Sequence, residues 1–205
     1  MDDLEITENG IYYFHKYVPR RKREWEIYKD YVDISELIIS YKYTKVEGVN
    51  DFFTNEIEQA LVYISNKILF KNVSKIALVA VPPSEVDKYS PIRKSINKIV
   101  NKYEKGRIND FKYINEIHNC SELLIRKEDV DSSKDNKSSR VFIVHYASID
   151  FDEDLISDLD DEVVYILLDD ITTTGFTMNV CEEILIDNGI NEDNIYKLVI
   201  AKTVE

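Results

Sequence analysis

The sequence predicts an α/β protein with a mostly parallel, doubly wound sheet. Two observations predict it. Short continuous apolar runs recur along the chain, as in strands covered on both faces. Helical or polar segments separate them, and strand–helix alternation points to a parallel sheet. With 205 residues, 44% hydrophobic and 32% charged, the chain can bury one large core.

Residues 1–50 read as a small β-rich appendage, with Ile11 to Val18 and Leu37 to Tyr43 as two strands rich in Ile, Tyr and Val. Residues 51–205 read as the α/β core. Its first helix spans Asn50 to Phe70, where Phe53, Ile57, Ala60, Leu61, Ile64 and Ile68 form one apolar stripe. The expected core strands are Ile76–Val81, Leu123–Ile125, Val141–Val144, Val163–Leu168 and Leu198–Ala201. Helices are expected at Pro91 to Tyr103 and Thr177 to Asn188, where Asn188-Gly189 is a good stop. Ligands in such sheets sit at the carboxyl ends of the strands.

The 26 basic and 39 acidic side chains give a net charge of −13, which opposes direct nucleic-acid binding unless a local basic patch intervenes. No run approaches the roughly 18 apolar residues of a membrane helix. Met1-Asp2-Asp3-Leu4-Glu5 is acidic where a secretory signal is basic. Two cysteines, Cys120 and Cys181, cannot build a disulfide framework or a four-cysteine zinc site. A cytoplasmic protein without a membrane partner is the expectation.

The chemistry concentrates in Ile166-Leu167-Leu168-Asp169-Asp170-Ile171-Thr172-Thr173-Thr174-Gly175-Phe176-Thr177. A buried strand ends in two carboxylates, and a hydroxyl-rich turn closes on glycine and opens a helix. Unpaired N–H groups and the helix dipole make the turn and first helical turn an anion site. Thr172, Thr173, Thr174 and Thr177 add hydroxyl donors, and Gly175 permits a close backbone approach at the start of Phe176. Asp169 and Asp170 would repel a phosphate but can accept hydrogen bonds from vicinal hydroxyls and attract a hydrated Mg²⁺. Such a motif suits a phosphorylated sugar. Its bland alternative is a helix capped by Thr and Asp.

This string resembles the phosphoribosyl pyrophosphate motif of type I phosphoribosyltransferases. The resemblance implies a mostly parallel α/β sheet under a small N-terminal hood, and Mg²⁺-dependent binding of 5-phosphoribosyl 1-pyrophosphate (PRPP). It implies that Asp169 and Asp170 hold the ribose hydroxyls and Thr172 to Thr177 the 5-phosphate. Transfer of the phosphoribosyl group to an unidentified acceptor would release pyrophosphate. Val79-Ala80-Val81-Pro82-Pro83-Ser84 runs a strand into a rigid corner, where the family holds pyrophosphate; Pro83 and Ser84 are the candidates. X-Pro bonds are also those that readily turn cis.

Further pieces resemble the ComF-type, competence-protein-like branch: Ser40-Tyr41-Lys42-Tyr43, Arg93 with Asn97, and Ala201-Lys202-Thr203. Arg93 joins the pyrophosphate candidates by this resemblance. The branch's Arg-Gly-Phe-Asn-Gln run is reduced here to Arg93-Lys94-Ser95-Ile96-Asn97-Lys98, and no cysteine-rich ribbon precedes the domain. A non-catalytic PRPP or nucleotide sensor, or an accessory protein in DNA uptake, are the alternative functions, and a homodimer is compatible with either.

The polar stretch from Arg126 to Arg140 reads either as a solvated loop or as the family's mobile flap, in which Arg126 and Arg140 would meet the leaving-group charge. Thr173 stands where purine-using relatives often carry an acid, so purine transfer by that proton exchange is not expected. The last core strand closes near Glu205, so the hood is expected from residues before Asn50, with Tyr12, Tyr13, Tyr17 and Trp25 as candidate stacking or core residues. Arg20-Arg21-Lys22-Arg23 reads as a solvated face or as a site for an anionic partner. The acidic stretch Asp150 to Glu162 reads as a solvated loop and helix. His15, His118 and His145 lack metal-ligand spacing, and Cys181 has core-like neighbours. Ile171 excludes a haloacid-dehalogenase-like phosphatase, which needs an acid two positions after Asp169.

Overall fold

The structure, a computed structural model, describes residues 4–67, 73–108, 110–130, 139–159 and 162–204. Its strands are β1 (Glu5–Ile6), β2 (Ile11–Tyr17), β3 (Lys75–Ala80), β4 (Glu116–Asn119), β5 (Leu124–Arg126), β6 (Ile149–Phe151), β7 (Val164–Thr172) and β8 (Ile195–Thr203). The helices are α1 (Val32–Tyr43), α2 (Glu47–Lys67), α3 (Pro91–Glu104), α4 (Ser139–Ala147) and α5 (Phe176–Asp187). Six strands form one sheet in the order β1-β2-β8-β7-β3-β4, parallel except for the antiparallel edge strand β1. β5 and β6 form a separate antiparallel pair. This is the expected α/β class.

Both sheet faces are covered, which explains the continuous apolar runs. Ile76, Leu78 and Ala80 of β3, with Ile166 and Leu168 of β7, pack with Ile38, Phe53, Leu61 and Ile96 from α1, α2 and α3. The alternate residues Ala77, Val79, Tyr165 and Leu167 pack with Met178, Cys181 and Leu185 of α5. Ile166 and Leu167 are both fully buried, so each contributes roughly 2 kcal/mol of apolar transfer. Among the described residues no helix is long and apolar enough to cross a membrane.

The winding creates a cleft. From β3 the chain passes through α3 to β4 on one side; from β7 it passes through α5 to β8 on the other. The connections diverge between β3 and β7, and a crevice opens outside the carboxyl ends at such a switch point. The two strands stay locked to their ends, where the Val81 N–H donates to the Leu168 carbonyl at 2.9 Å.

Several expected elements differ. Leu37–Tyr43 is the second half of α1, not a strand. Its β-like composition hides a helical stripe in which Ser35, Ile38 and Tyr41 are buried at three-residue steps. Residues 4–50 thus give the main sheet β1 and β2 and lay one helix beside them. Val141–Val144 is also helical, within α4, and leaves Ile143 and Val144 exposed. The strand pairing with β5 comes instead from Ile149–Phe151, so the acidic stretch begins as a strand and continues into a short 3₁₀ turn, Glu153–Leu155. The Arg126 to Arg140 stretch begins with the last residue of β5; residues 131–138 and the Arg140 side chain lie outside the described residues.

α1 crosses the carboxyl ends of three strands. Near its start, Ser35 Oγ accepts the Val18 N–H at 2.9 Å, just past β2; near its end, Lys42 reaches Asp170 on β7. β8 lies between those two strands.

Candidate functional site

The carboxyl end of β7 presents both acids. Strand alternation leaves Asp169 partly open and buries Asp170 at 6% exposure. Asp169 Oδ1 accepts the Asp170 N–H at 2.7 Å, and Asp170 Oδ1 accepts the Ile171 N–H at 2.7 Å. Lys42 Nζ donates to the same Asp170 oxygen at 2.8 Å. Burial first, and the neighbouring Asp170 charge second, push Asp169 up to about 7, against the smaller opposing effects of Lys42 and the Asp170 N–H. Burial works to lower the Lys42 ammonium, but Asp170 and Asp169 together outweigh it and hold Lys42 above its ordinary value.

The turn after the acids ends in Gly175, at φ +79°, which N-caps α5 without a side chain. Thr174 Oγ1 accepts the Phe176 N–H at 3.4 Å, a long contact, so the first turn of α5 has little internal capping. A recess of about 50 Å³ lies inside this turn, lined by Asp169, Thr172, Thr173, Gly175, Phe176 and Thr177 with two apolar neighbours. At ~10–15 Å³ per water, it admits a few water-sized groups, the scale of a single phosphoryl group. Gly175 has a second reason beside the one its sequence suggests. A Cβ there would stand 2.5 Å from Ile11 Cδ1, so glycine is required by the left-handed backbone and by packing on β2.

A larger cavity of about 450 Å³ adjoins the recess, sharing Asp169, Ile171, Thr173 and Thr177 with it. Its other walls include Pro82, Pro83 and Ser84 after β3, Tyr89 before α3, Lys42 and Tyr43 from α1, and Arg126 and His145. Every described peptide bond is trans, including those of the Pro-Pro corner. Among the described residues, the charged lining comprises three cations (Lys42, Lys88, Arg126) and three carboxylates (Glu85, Asp169, Asp170). Lys88 is ion-paired with Glu85.

Most sequence candidates therefore converge: Asp169, Asp170, Thr172, Thr173, Gly175, Phe176, Thr177, Pro83, Ser84 and Arg126 line one cavity or the other. Thr174 is exposed on the turn between them. Arg126 is 4% exposed, and its guanidinium donates to the Pro83 carbonyl at 2.9 Å and to Ser148 Oγ at 2.5 Å. It thus secures the wall. Burial lowers its pKa. Arg93 is not among the lining residues; it donates to the Leu124 carbonyl at 3.3 Å. The Arg20–Arg23 cluster also lies outside the lining: Arg23 pairs with Glu36, and Lys22 sits 5.7 Å over the Trp25 ring. Cys181 is fully buried, as its neighbours suggested.

Aromatic walls come from Tyr43 and Tyr89, not from Tyr12, Tyr13, Tyr17 or Trp25. Lys42 is the cavity residue, bonded to Asp170, that sequence reasoning passes over, although Lys42-Tyr43 lies in the segment quoted for its likeness to the ComF-type branch. His145 is buried beside Phe176, with ring centroids 5.3 Å apart.

Among the described residues no group of three or more His, Cys, Asp or Glu could cage a metal. The two carboxylates still fit Mg²⁺, which keeps several waters and commonly takes only one or two protein carboxylates plus substrate oxygens. No protein family and no curated protein matches the chain in sequence.

Proposed function

We propose that this chain binds 5-phosphoribosyl 1-pyrophosphate with Mg²⁺ and transfers its phosphoribosyl group to an acceptor, on a fold of the type I phosphoribosyltransferase kind. The observation that carries this reading is the continuity of two unlike subsites: an acid pair, Asp170 buried and Asp169 partly open, leads directly onto a phosphate-sized recess at a helix start. Opposite ends of a 5-phosphorylated ribose need those two environments, one accepting hydroxyl protons and one donating to an anion.

In this reading Asp169 and Asp170 accept the ribose hydroxyls, and the N–H groups and hydroxyls from Thr172 to Thr177 hold the 5-phosphate. The Pro83–Ser84 corner faces the pyrophosphate end, with Arg126 fixing that corner. α1 is the hood, and Tyr43 and Tyr89 flank the space left for an acceptor. When bound, Mg²⁺ would neutralise leaving-group charge. The protein's share is orientation and electrostatic stabilisation as the anomeric carbon becomes cationic, rather than covalent chemistry.

Calorimetry with PRPP and Mg²⁺ tests this. The double variant Asp169→Asn, Asp170→Asn is expected to lose binding by about 100-fold or more, the loss of at least two charge-assisted hydrogen bonds. Its melting temperature is expected to fall only in part, as Lys42 loses a carboxylate partner, and the chain to stay folded at the assay temperature. Undiminished binding overturns the assignment.

One observation favours a second reading, a PRPP or nucleotide sensor without turnover. The arginine in the cavity wall is committed through Nε and Nη1 to protein oxygens rather than held free for a leaving group. Pyrophosphate release across candidate acceptors separates the two: binding without release selects the sensor.

A further inference from the structure

The acid pair is organised by more than its own backbone. Asp169 and Asp170 each accept the next N–H through Oδ1, and no hydrogen bond from the described residues reaches either Oδ2. One oxygen of each acid is thus left to accept from a ligand. The added contact is Lys42, whose ammonium bonds Asp170 Oδ1 from α1, 128 residues away in the chain. This is no loose surface pair. Side-chain exposure is 32% for Lys42 and 9% for Asp170. The neighbouring Tyr41 is 1% exposed, and its hydroxyl hydrogen-bonds Ser95 Oγ at 2.9 Å, which in turn lies 2.8 Å from Thr54 Oγ1. Buried hydroxyls on α1, α2 and α3 therefore fix the turn of helix that presents Lys42. A charge-assisted bond from so constrained a donor sets the plane of the carboxylate it meets.

We propose that Lys42 is a positioning residue: by holding Asp170 Oδ1 it fixes the plane of that carboxylate and turns its Oδ2 toward a vicinal diol beside Asp169, making the cavity selective for ribosyl phosphates over phosphate alone. This rests on the ribose–phosphate reading above. A competing role, in which the ammonium contacts ligand phosphate directly, predicts equal losses for phosphate and ribosyl phosphates and no change in selectivity.

Titrations of the full chain with inorganic phosphate, ribose 5-phosphate and 2-deoxyribose 5-phosphate decide between them. The unaltered protein is expected to prefer ribose 5-phosphate over both others. In Lys42→Met the ratio of ribose 5-phosphate to phosphate affinity is expected to fall by about tenfold, one charge-assisted contact. Lys42→Arg, which restores a cation, is expected to recover most of that ratio. Lys42→Gln serves for the same ratio if the methionine variant does not fold. An intact ratio in the neutral variant, or equal losses for phosphate and ribose 5-phosphate, overturns the positioning role. Equal affinity of the unaltered protein for all three ligands is a different failure, that of the diol site itself.

Discussion

The two walls of the cleft are built in opposite ways. The turn from Asp169 to Thr177 is held first by its own sequence: the acid-to-N–H bonds, the Thr174 contact and the left-handed Gly175 act within two residues. Lys42 on Asp170, Asn9 on the Thr174 carbonyl and Ile11 against Gly175 are its ties from outside. The corner from Val81 to Ser90 is held from outside. Arg126 donates to the Pro83 carbonyl, the Val130 N–H donates to the Ser84 carbonyl at 2.9 Å, and Asp129 Oδ1 accepts the Val86 N–H at 2.7 Å. Prolines 82 and 83 have no N–H with which to tie themselves, so the ties must come from elsewhere. A local motif and a tertiary clamp thus face each other across one cavity.

The largest expected effect breaks the self-contained side. Gly175→Ala places an L-residue at φ +79°, costing about 1–2 kcal/mol, and drives a Cβ into Ile11 Cδ1, costing roughly 1–3 kcal/mol more. Chemical denaturation should show a loss of about 2–5 kcal/mol. Ile11→Val deletes the methyl group that is struck, so the double variant should be more stable than the sum of the single changes implies. Strict additivity would mean that Ile11 is not the obstacle and that the turn is local throughout.

A smaller loss is expected from the clamped side. Arg126→Met keeps an apolar stem but strands the Pro83 carbonyl, while the Ser148 hydroxyl keeps its bond to the His145 carbonyl, a cost of about 1–2 kcal/mol. Its effect should also be confined in space: hydrogen exchange should quicken at the Val86 and Val130 amides and stay unchanged at Phe176 and Thr177. Uniform quickening would erase the difference between the walls.

That difference also explains what the sequence could disclose. The central strands and the acid–turn–helix string were legible because their signals are contiguous: apolar runs buried on both faces, then adjacent acids and a glycine before an apolar helix. The Leu37–Tyr43 and Val141–Val144 runs misled because β-branched and aromatic residues fill buried helix faces or stand exposed as readily as they form strands, and only tertiary partners decide. Lys42 could not be placed from composition, since its partner lies on a strand end 128 residues away. Arg126 was located correctly at the cavity, but whether its guanidinium faces ligand or backbone depends on Pro83 and Ser148, which no spacing rule connects. Arg93 is the converse case: a cation in a suggestive run whose helix turns it toward Leu124.

The smallest expected effect concerns the cost that the acid pair imposes on the folded chain. Asp169 has its pKa raised from 3.8 to about 7 by burial and by Asp170. A raised folded-state value means that the protonated form is the one the fold favours. Stability from this group is therefore complete below about pH 4 and is lost as the pH climbs through 7. Asp169→Asn removes the titration, so the variant should match the wild type in acid and gain on it steadily toward pH 8. Because Asp169 keeps an open edge on the cavity, the gain should be on the order of 1 kcal/mol, less than the full shift would imply. Melting curves at half-unit pH steps measure it. A parallel pH profile in both proteins would mean that the acid is well solvated, and that the Asp169 end of the cleft is an open surface rather than a prepared site.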